Sequence, residues 1–198
     1  MPPMTNTTGP FPQDIASAYT LDIAASKFTI QAFAGGLLAA FGHDPVIGIP
    51  DFSGEVHLGA EGIEQASLLM TINTASLKVV SEMSEKDRLE VERVMRQQIL
   101  QSDSYPEIVY ECSRISASRT GDGQYWVALN GELTMHGVTR GQTVSTRINM
   151  NGDNLRASGS FSLLQTDYDI KLVSFAAGTL KVKDELKCAF EIVARKRG

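Results

Sequence analysis

The sequence predicts an all-β protein, a single antiparallel β-barrel of about eight strands with one α-helix at its side or mouth. Three observations predict it. Apolar residues alternate with polar ones along most of the 198-residue chain. An Asn-Gly turn separates two such runs at 151–154. One stretch, residues 84–100, instead carries the helical period.

Taken in order, residues 1–17 are rich in Pro, Thr and Asn and have little to bury, so they are expected to form a flexible arm before a barrel domain at 18–198. Residues 19–34 place Phe28, Ile30 and Ala32 on one face, with Lys27, Thr29 and Gln31 on the other. Residues 34–50 follow as an irregular stretch. The Gly35-Gly36 pair permits a sharp change of direction there. Leu37, Leu38 and Phe41 are apolar in what should be a loop. They are expected either to plug one end of the barrel or to form a lid over it.

Alternation resumes at 52–58, with Phe52, Gly54, Val56 and Leu58 together, and at 66–78, with Leu68, Met70 and Ile72 together. Residues 84–100 read as the helix. Ser84 is a good N-cap, Glu85 and Asp87 suit the positive end of the helix dipole, and Val91, Val94, Met95 and Ile99 recur at helical spacing. Strand patterning returns at 106–118 (Ile108, Tyr110, Cys112) and at 125–136 (Val127, Leu129, Gly131, Leu133, Met135). The pair 140–150 and 155–166 follows, joined by Asn151-Gly152-Asp153-Asn154, a strong hairpin signal. Residues 178–194 close the chain with Leu180, Val182, Cys188, Phe190 and Ile192. Mostly sequential, hairpin-sized connections favour a closed up-and-down sheet over a sandwich. Small residues among the candidate inward positions, Ala32, Gly54 and Gly131, leave room inside.

Composition narrows the function. Apolar residues make up 42% of the chain, enough for a core. A net charge of −5 with scattered Lys and Arg argues against nucleic acid as a partner, because phosphate neutralisation needs clustered basic residues. Arg195, Lys196 and Arg197 read as a solvated end. The start, MPPMTNTTGPFPQDIAS, has neither a basic n-region nor an apolar h-region, and no run is long enough for a transmembrane helix. A soluble protein of the cytoplasm is therefore expected, or of the periplasm if a leader has been removed. The sequence does not decide whether the chain forms a homodimer.

Catalytic and metal motifs are missing. His43, His57 and His136 have no metal-ligand spacing, so no metal is expected, and His43 and His136 are expected to satisfy backbone groups in turns. No G-x-S-x-G or phosphate loop is present. Cys112 and Cys188 share strand parity with apolar neighbours and read as small hydrophobes, with a bridge between them left open.

Several stretches together resemble the YceI-like family. They are Tyr19-Thr-Leu-Asp22 with Ser26-x-Phe28-x-Ile30, then Phe52-Ser-Gly54-Glu-Val56, and Lys86-Asp87-Arg88 at the helix start. Tyr105-Pro106-Glu-Ile108, Leu133-Thr134-Met-His136-Gly137-Val138-Thr139 and Thr166-Asp167-Tyr168-Asp-Ile170 follow in order. The resemblance spans about residues 19–194. It departs from the family where Ala25 stands before Ser26, close to where members carry a histidine, and in lacking the leader that many members have.

The resemblance implies a lipocalin-like barrel that binds a polyisoprenoid, the tail of an isoprenoid quinone or a prenyl phosphate, for transport, storage or sequestration. The alternative is a filled barrel serving as a stress-related or interaction protein. It implies no catalysis and no cofactor. By face parity the lining would be Phe28, Ile30, Val56, Leu68, Met70, Ile72, Ile108, Tyr110, Leu129, Leu133, Phe161, Leu163, Leu180 and Phe190, with Phe41 in the lid. Arg88 and Arg140 are the candidates for holding a polar head group by paired hydrogen bonds.

Overall fold

The alternating runs fold as strands whose apolar faces turn to one interior. The computed structural model describes residues 15–35, 44–172, 174–175 and 180–197. In chain order the strands are β1 (Ile15–Leu21), β2 (Lys27–Gly35), β3 (Val46–Gly48), β4 (Phe52–Gly59), β5 (Gly62–Asn73) and β6 (Lys78–Val79). Helix α1 (Glu85–Val94) follows, then β7 (Glu107–Gly121), β8 (Gln124–Met135), β9 (Val138–Asn151), β10 (Asn154–Leu164), β11 (Ser174–Phe175) and β12 (Leu180–Lys196). Eight of them close a ring in the order β1-β4-β5-β7-β8-β9-β10-β12, and every pairing is antiparallel. Closure removes the unpaired edges that would otherwise template aggregation. No helix among the described residues is long and apolar enough to cross a membrane.

Closure rests on β12. One edge pairs β10 from Asn154↔Arg195 to Leu164↔Glu185. The other edge is shared by β2, which meets it from Lys181 to Glu191, and β1, which meets it from Ala194 to Lys196. The run 19–34 is therefore not one strand. Residues Ile23–Ala25 form a short 3-10 turn between its halves. Side chains hold this break together: Asp22 Oδ1 accepts from the Ala25 amide (3.2 Å), and Ser26 Oγ accepts from the Val193 amide (2.9 Å) while donating to the Asp22 carbonyl (2.6 Å). Below the break, β1 turns to pair β4; above it, β2 carries β3 and β6 as a small flap. Strand β1 includes Ile15, which pairs Gly59, within the stretch expected to be an arm.

The helix forms where its period predicted. The Asp87 amide donates to Ser84 Oγ (3.1 Å), satisfying one of the first-turn donors. After Val94 the chain continues as a π-turn, Met95–Ile99, which brings Met95 and Leu100 into the core beside Leu77. Glu92 is buried, and its Oε1 accepts from the Val79 amide (3.0 Å). That bond ties α1 to the free edge of the flap.

The β4–β5, β7–β8 and β9–β10 hairpins lie at one end of the barrel. In the last of these the central residues are Gly152 and Asp153, since Asn151 pairs Asn154 and Gly152 takes the positive φ of 56°. Glycine leads the turn that the sequence marked at Asn151-Gly152-Asp153-Asn154. The opposite end holds α1, the flap and the turn at Gln165–Tyr168. The core is accordingly in two clusters. One, around Phe28, Phe52, Leu133 and Tyr168, lies toward the helix. The other, around Tyr19, Val127, Ile148 and Ala194, lies toward the hairpins.

Candidate functional site

Between the two clusters the interior stays open. A cavity of about 120 Å³ is lined almost wholly by apolar side chains from the barrel strands. Alternation explains the choice of residues: β5 contributes Leu68, Met70 and Ile72, and β7 contributes Ile108 and Tyr110. A bulge in β7, at Cys112/Arg114 against β8, then shifts the inward parity to odd residues and brings in Ile115. Phe28 of β2, Val56 of β4, Leu129 and Leu133 of β8, Phe161 of β10 and Phe190 of β12 complete the predicted part of the lining.

Two other residues expected in the lining stand elsewhere. Ile30 packs against the helix-side cluster, beyond the cavity. Leu163 lies past the cavity on β10 and borders a separate cleft. Phe41 and the side chain of Leu180 lie outside the described residues, as does the loop read as a plug or lid. The parity reading also missed lining residues. Leu21, Leu58 and Ile63 sit near strand ends, while Val144, Ile148, Leu155 and Ile192 share faces with predicted residues and were recoverable by extending the same alternation.

Two large side chains shape the cavity by lying over glycines. A Cβ at Gly131 would meet Tyr110 Cζ at 2.7 Å, and one at Gly159 would meet Phe190 Cζ at 2.9 Å. Only glycine admits these rings so close to the wall. Phe190 also meets Phe28 edge-on, with ring centroids 6.0 Å apart. The Tyr110 hydroxyl crosses β8 and donates to main-chain oxygens, lying 3.0 Å from Leu129 O and 3.1 Å from Gln142 O. Burial, then the neighbouring Cys112, pushes its pKa well above the usual phenol value, so it stays a neutral donor. Thr146, the other polar residue of the lining, turns its Oγ1 to the Val144 carbonyl (3.4 Å). The cavity thus presents hydrocarbon and self-satisfied polar groups.

A polar cleft of about 350 Å³ opens on the barrel wall at the helix end. Its origin is a break in pairing: β9 and β10 part beyond Thr146↔Gly159, leaving 138–145 and 160–164 splayed. The turn Gln165–Tyr168 packs into the wedge, and Arg140 Nε donates to the Asp167 carbonyl (3.0 Å) across it. Arg140, Gln142, Ser162, Asp167, Tyr168 and Glu185 line this cleft. Arg88 belongs to neither space. It sits on the solvent side of α1, with its guanidinium 3.9 Å from Glu85, because the helix turns Val94 and Met95 inward instead.

The remaining chemistry-bearing residues are dispersed. His57 pairs with Glu55 (3.0 Å). Among the described residues His136 bonds no backbone group, contrary to expectation: its buried ring nitrogens meet no partner there, and the ring packs on Tyr105 at 4.3 Å. His43 lies outside the described residues. Among the described residues no three His, Cys, Asp or Glu side chains converge as metal ligands would. Cys112 and Cys188 are free thiols, both buried. Burial raises the pKa of each, that of Cys188 to about 12.

A closed antiparallel barrel with an apolar interior, entered in sequence by residues 19–194, matches the profile of the YceI-like domain over that same range. The chain belongs to the YceI-like family. Among solved structures, this YceI-like chain resembles BcnA of Burkholderia cenocepacia with a TM-score of 0.64 at 20% identity, covering 87% of this chain and 98% of that one. A polyisoprenoid-binding domain from Saccharophagus degradans, implicated in plant cell wall breakdown, gives 0.64 at 12% identity, with 93% and 100% covered. The Campylobacter jejuni YCEI protein gives 0.53 at 14% identity, with 77% and 85% covered. At these identities the likeness is one of fold. No curated protein matches the sequence.

Proposed function

We propose that this YceI-like barrel binds the tail of a polyisoprenoid, an isoprenoid quinone or prenyl phosphate, and carries, stores or sequesters it without chemical change. The observation that carries the reading is the cavity lining, in which the Tyr110 hydroxyl and Thr146 are the polar exceptions and both turn to main-chain oxygens. Such a surface offers a ligand dispersion and hydrophobic burial and little else. The Saccharophagus degradans domain of the same fold is described as polyisoprenoid-binding, which supports the choice of ligand.

The energetics suit a hydrocarbon. Burial contributes about 0.8 kcal/mol per CH2, so each five-carbon isoprene unit brings roughly 4 kcal/mol, and a few units exceed the ordinary cost of association. The volume sets a condition. A cavity near 120 Å³ is comparable to the roughly 150 Å³ engineered cavity that takes up one benzene. A long tail therefore requires Met70, Phe161 and Phe190 to swing aside. The same small volume favours a second reading, a filled barrel acting as a stress-related or interaction protein.

Organic extraction of the purified chain followed by mass spectrometry separates the two. A co-purifying prenyl lipid, or saturable uptake of an added isoprenoid quinone, is expected. An extract free of prenyl lipid together with no uptake would leave only the filled barrel.

A further inference from the structure

The polar cleft and the apolar cavity adjoin along one piece of wall. At the apex of the wedge, Val144 and Thr146 of β9 and Phe161 of β10 face the cavity. Gln142, two residues before Val144 on the same face of β9, and Ser162, next to Phe161, line the cleft. The Tyr110 hydroxyl reaches from inside to the carbonyl of Gln142. Since β9 and β10 share no ladder hydrogen bonds beyond Gly159, a chain can pass between them there without breaking a paired strand.

Tyr168 gives the cleft a second link to the interior. It is only 2% exposed, belongs to the helix-side core cluster and also lines the cleft. Its hydroxyl makes no hydrogen bond among the described residues. Burial chiefly, with Asp167 adding and Arg140 opposing, holds the phenol's pKa above its ordinary value, so it remains an O–H donor at neutral pH.

The charges of the cleft select the head group. Arg140 supplies one positive charge, Asp167 and Glu185 two negative ones, and no lysine lines the space. The sum is −1, the wrong sign for a phosphate. Donors remain for an uncharged oxygen: the Arg140 guanidinium beyond the Nε–H given to the Asp167 carbonyl, and the second N–H of the Gln142 amide, whose first goes to the Thr143 carbonyl, with the Tyr168 side chain beside them. We propose that the β9–β10 wedge is the side portal of the barrel and seats an uncharged, oxygen-bearing head group, of the quinone or prenol class, while rejecting prenyl phosphates.

This rests on the reading of the barrel as an isoprenoid carrier, and the experiment keeps the two apart. A prenol, an isoprenoid quinone and a prenyl diphosphate of equal tail length are competed against a labelled isoprenoid quinone on the full chain, with the bare isoprenoid hydrocarbon as reference. The quinone and prenol are expected to bind at least about tenfold more tightly than the diphosphate. The D167N/E185Q double variant should close that gap by improving diphosphate binding alone. R140M should weaken the quinone and leave the hydrocarbon unchanged. A diphosphate that binds as tightly as the quinone, or a double variant with an unaltered ratio, overturns the head-group assignment while hydrocarbon binding preserves the carrier. If the hydrocarbon fails to bind as well, the carrier reading falls and this proposal falls with it.

Discussion

The ring of Tyr110 sits beside Gly131, so close that a Cβ there would stand 2.8 Å from the tyrosine hydroxyl oxygen and 2.4 Å from the Glu111 carbonyl. The second contact is with backbone and has no rotamer to relieve it. Gly131→Ala is therefore expected to destabilise the barrel by about 2–3 kcal/mol, read from urea unfolding. Tyr110→Phe keeps the ring and loses only the hydroxyl's bond to the Leu129 and Gln142 carbonyls, so a loss near 1 kcal/mol is expected. Equal effects of the two substitutions would show that the hydroxyl, and not the close approach, governs this region.

On the proposed carrier reading, the Phe190 ring over Gly159 is expected to limit the length of tail that the cavity takes. Phe190→Leu removes part of a ring that faces both the cavity and Phe28. A stability cost of about 1–2 kcal/mol is expected. Affinity should shift toward longer isoprenoid tails, measured across a series of quinones of increasing length. An unchanged length preference would place the tail elsewhere than beneath Phe190.

Glu92 anchors the helix to the flap through the Val79 amide. Glu92→Ala leaves a buried donor without an acceptor, at a cost of about 1–3 kcal/mol. Glu92→Gln retains a side-chain carbonyl and should cost less. Hydrogen exchange provides the check: the Val79 amide should lose protection in the alanine variant and largely keep it in the glutamine variant.

Acid and alkali act on different groups. Asp22 is held below the usual carboxylate range by its hydrogen bond from Arg195, Glu55 by His57 and then Arg197, and Asp184 by Thr166. A carboxylate depressed in the folded state lends stability above its unfolded value, near 4, and loses it as pH falls further. All three are only partly buried and individually weak, so a modest decline in thermal midpoint below about pH 4 is expected, reduced in Asp22→Asn and Glu55→Gln. Cys188 behaves oppositely. Its thiol is pushed up to about 12 by burial, so its contribution is intact below the unfolded thiol value near 8.5 and is lost as pH rises from there toward 12. Cys188 should resist alkylation at pH 8 in the folded chain and react on unfolding; rapid labelling of the folded protein would contradict its burial.

The family motifs, the helix with its Ser84 cap and most inward faces were legible in the sequence because each is a local property. Alternation puts Leu68, Met70 and Ile72 on one side of β5 whatever β5 pairs with. The same parity reached Ile30 and Leu163 as well, but parity assigns a face and says nothing of height along the barrel axis. Both lie toward the helix end, past the cavity. The break at Ile23–Ala25 was hidden because Asp22 and Ser26 replace ladder bonds with side-chain bonds to residues far away in sequence, Val193 among them.

The cleft belongs wholly to the tertiary structure. Arg140, Asp167 and Glu185 are separated along the chain and acquire a common environment only where β9 and β10 part. The sequence by itself determined a closed β-barrel with an apolar interior, since periodicity, turn chemistry and motif order are written in neighbouring residues. What the interior can hold, and which head group the wall can tolerate, was decided by packing. A volume and a sum of charges exist only after distant strands have met.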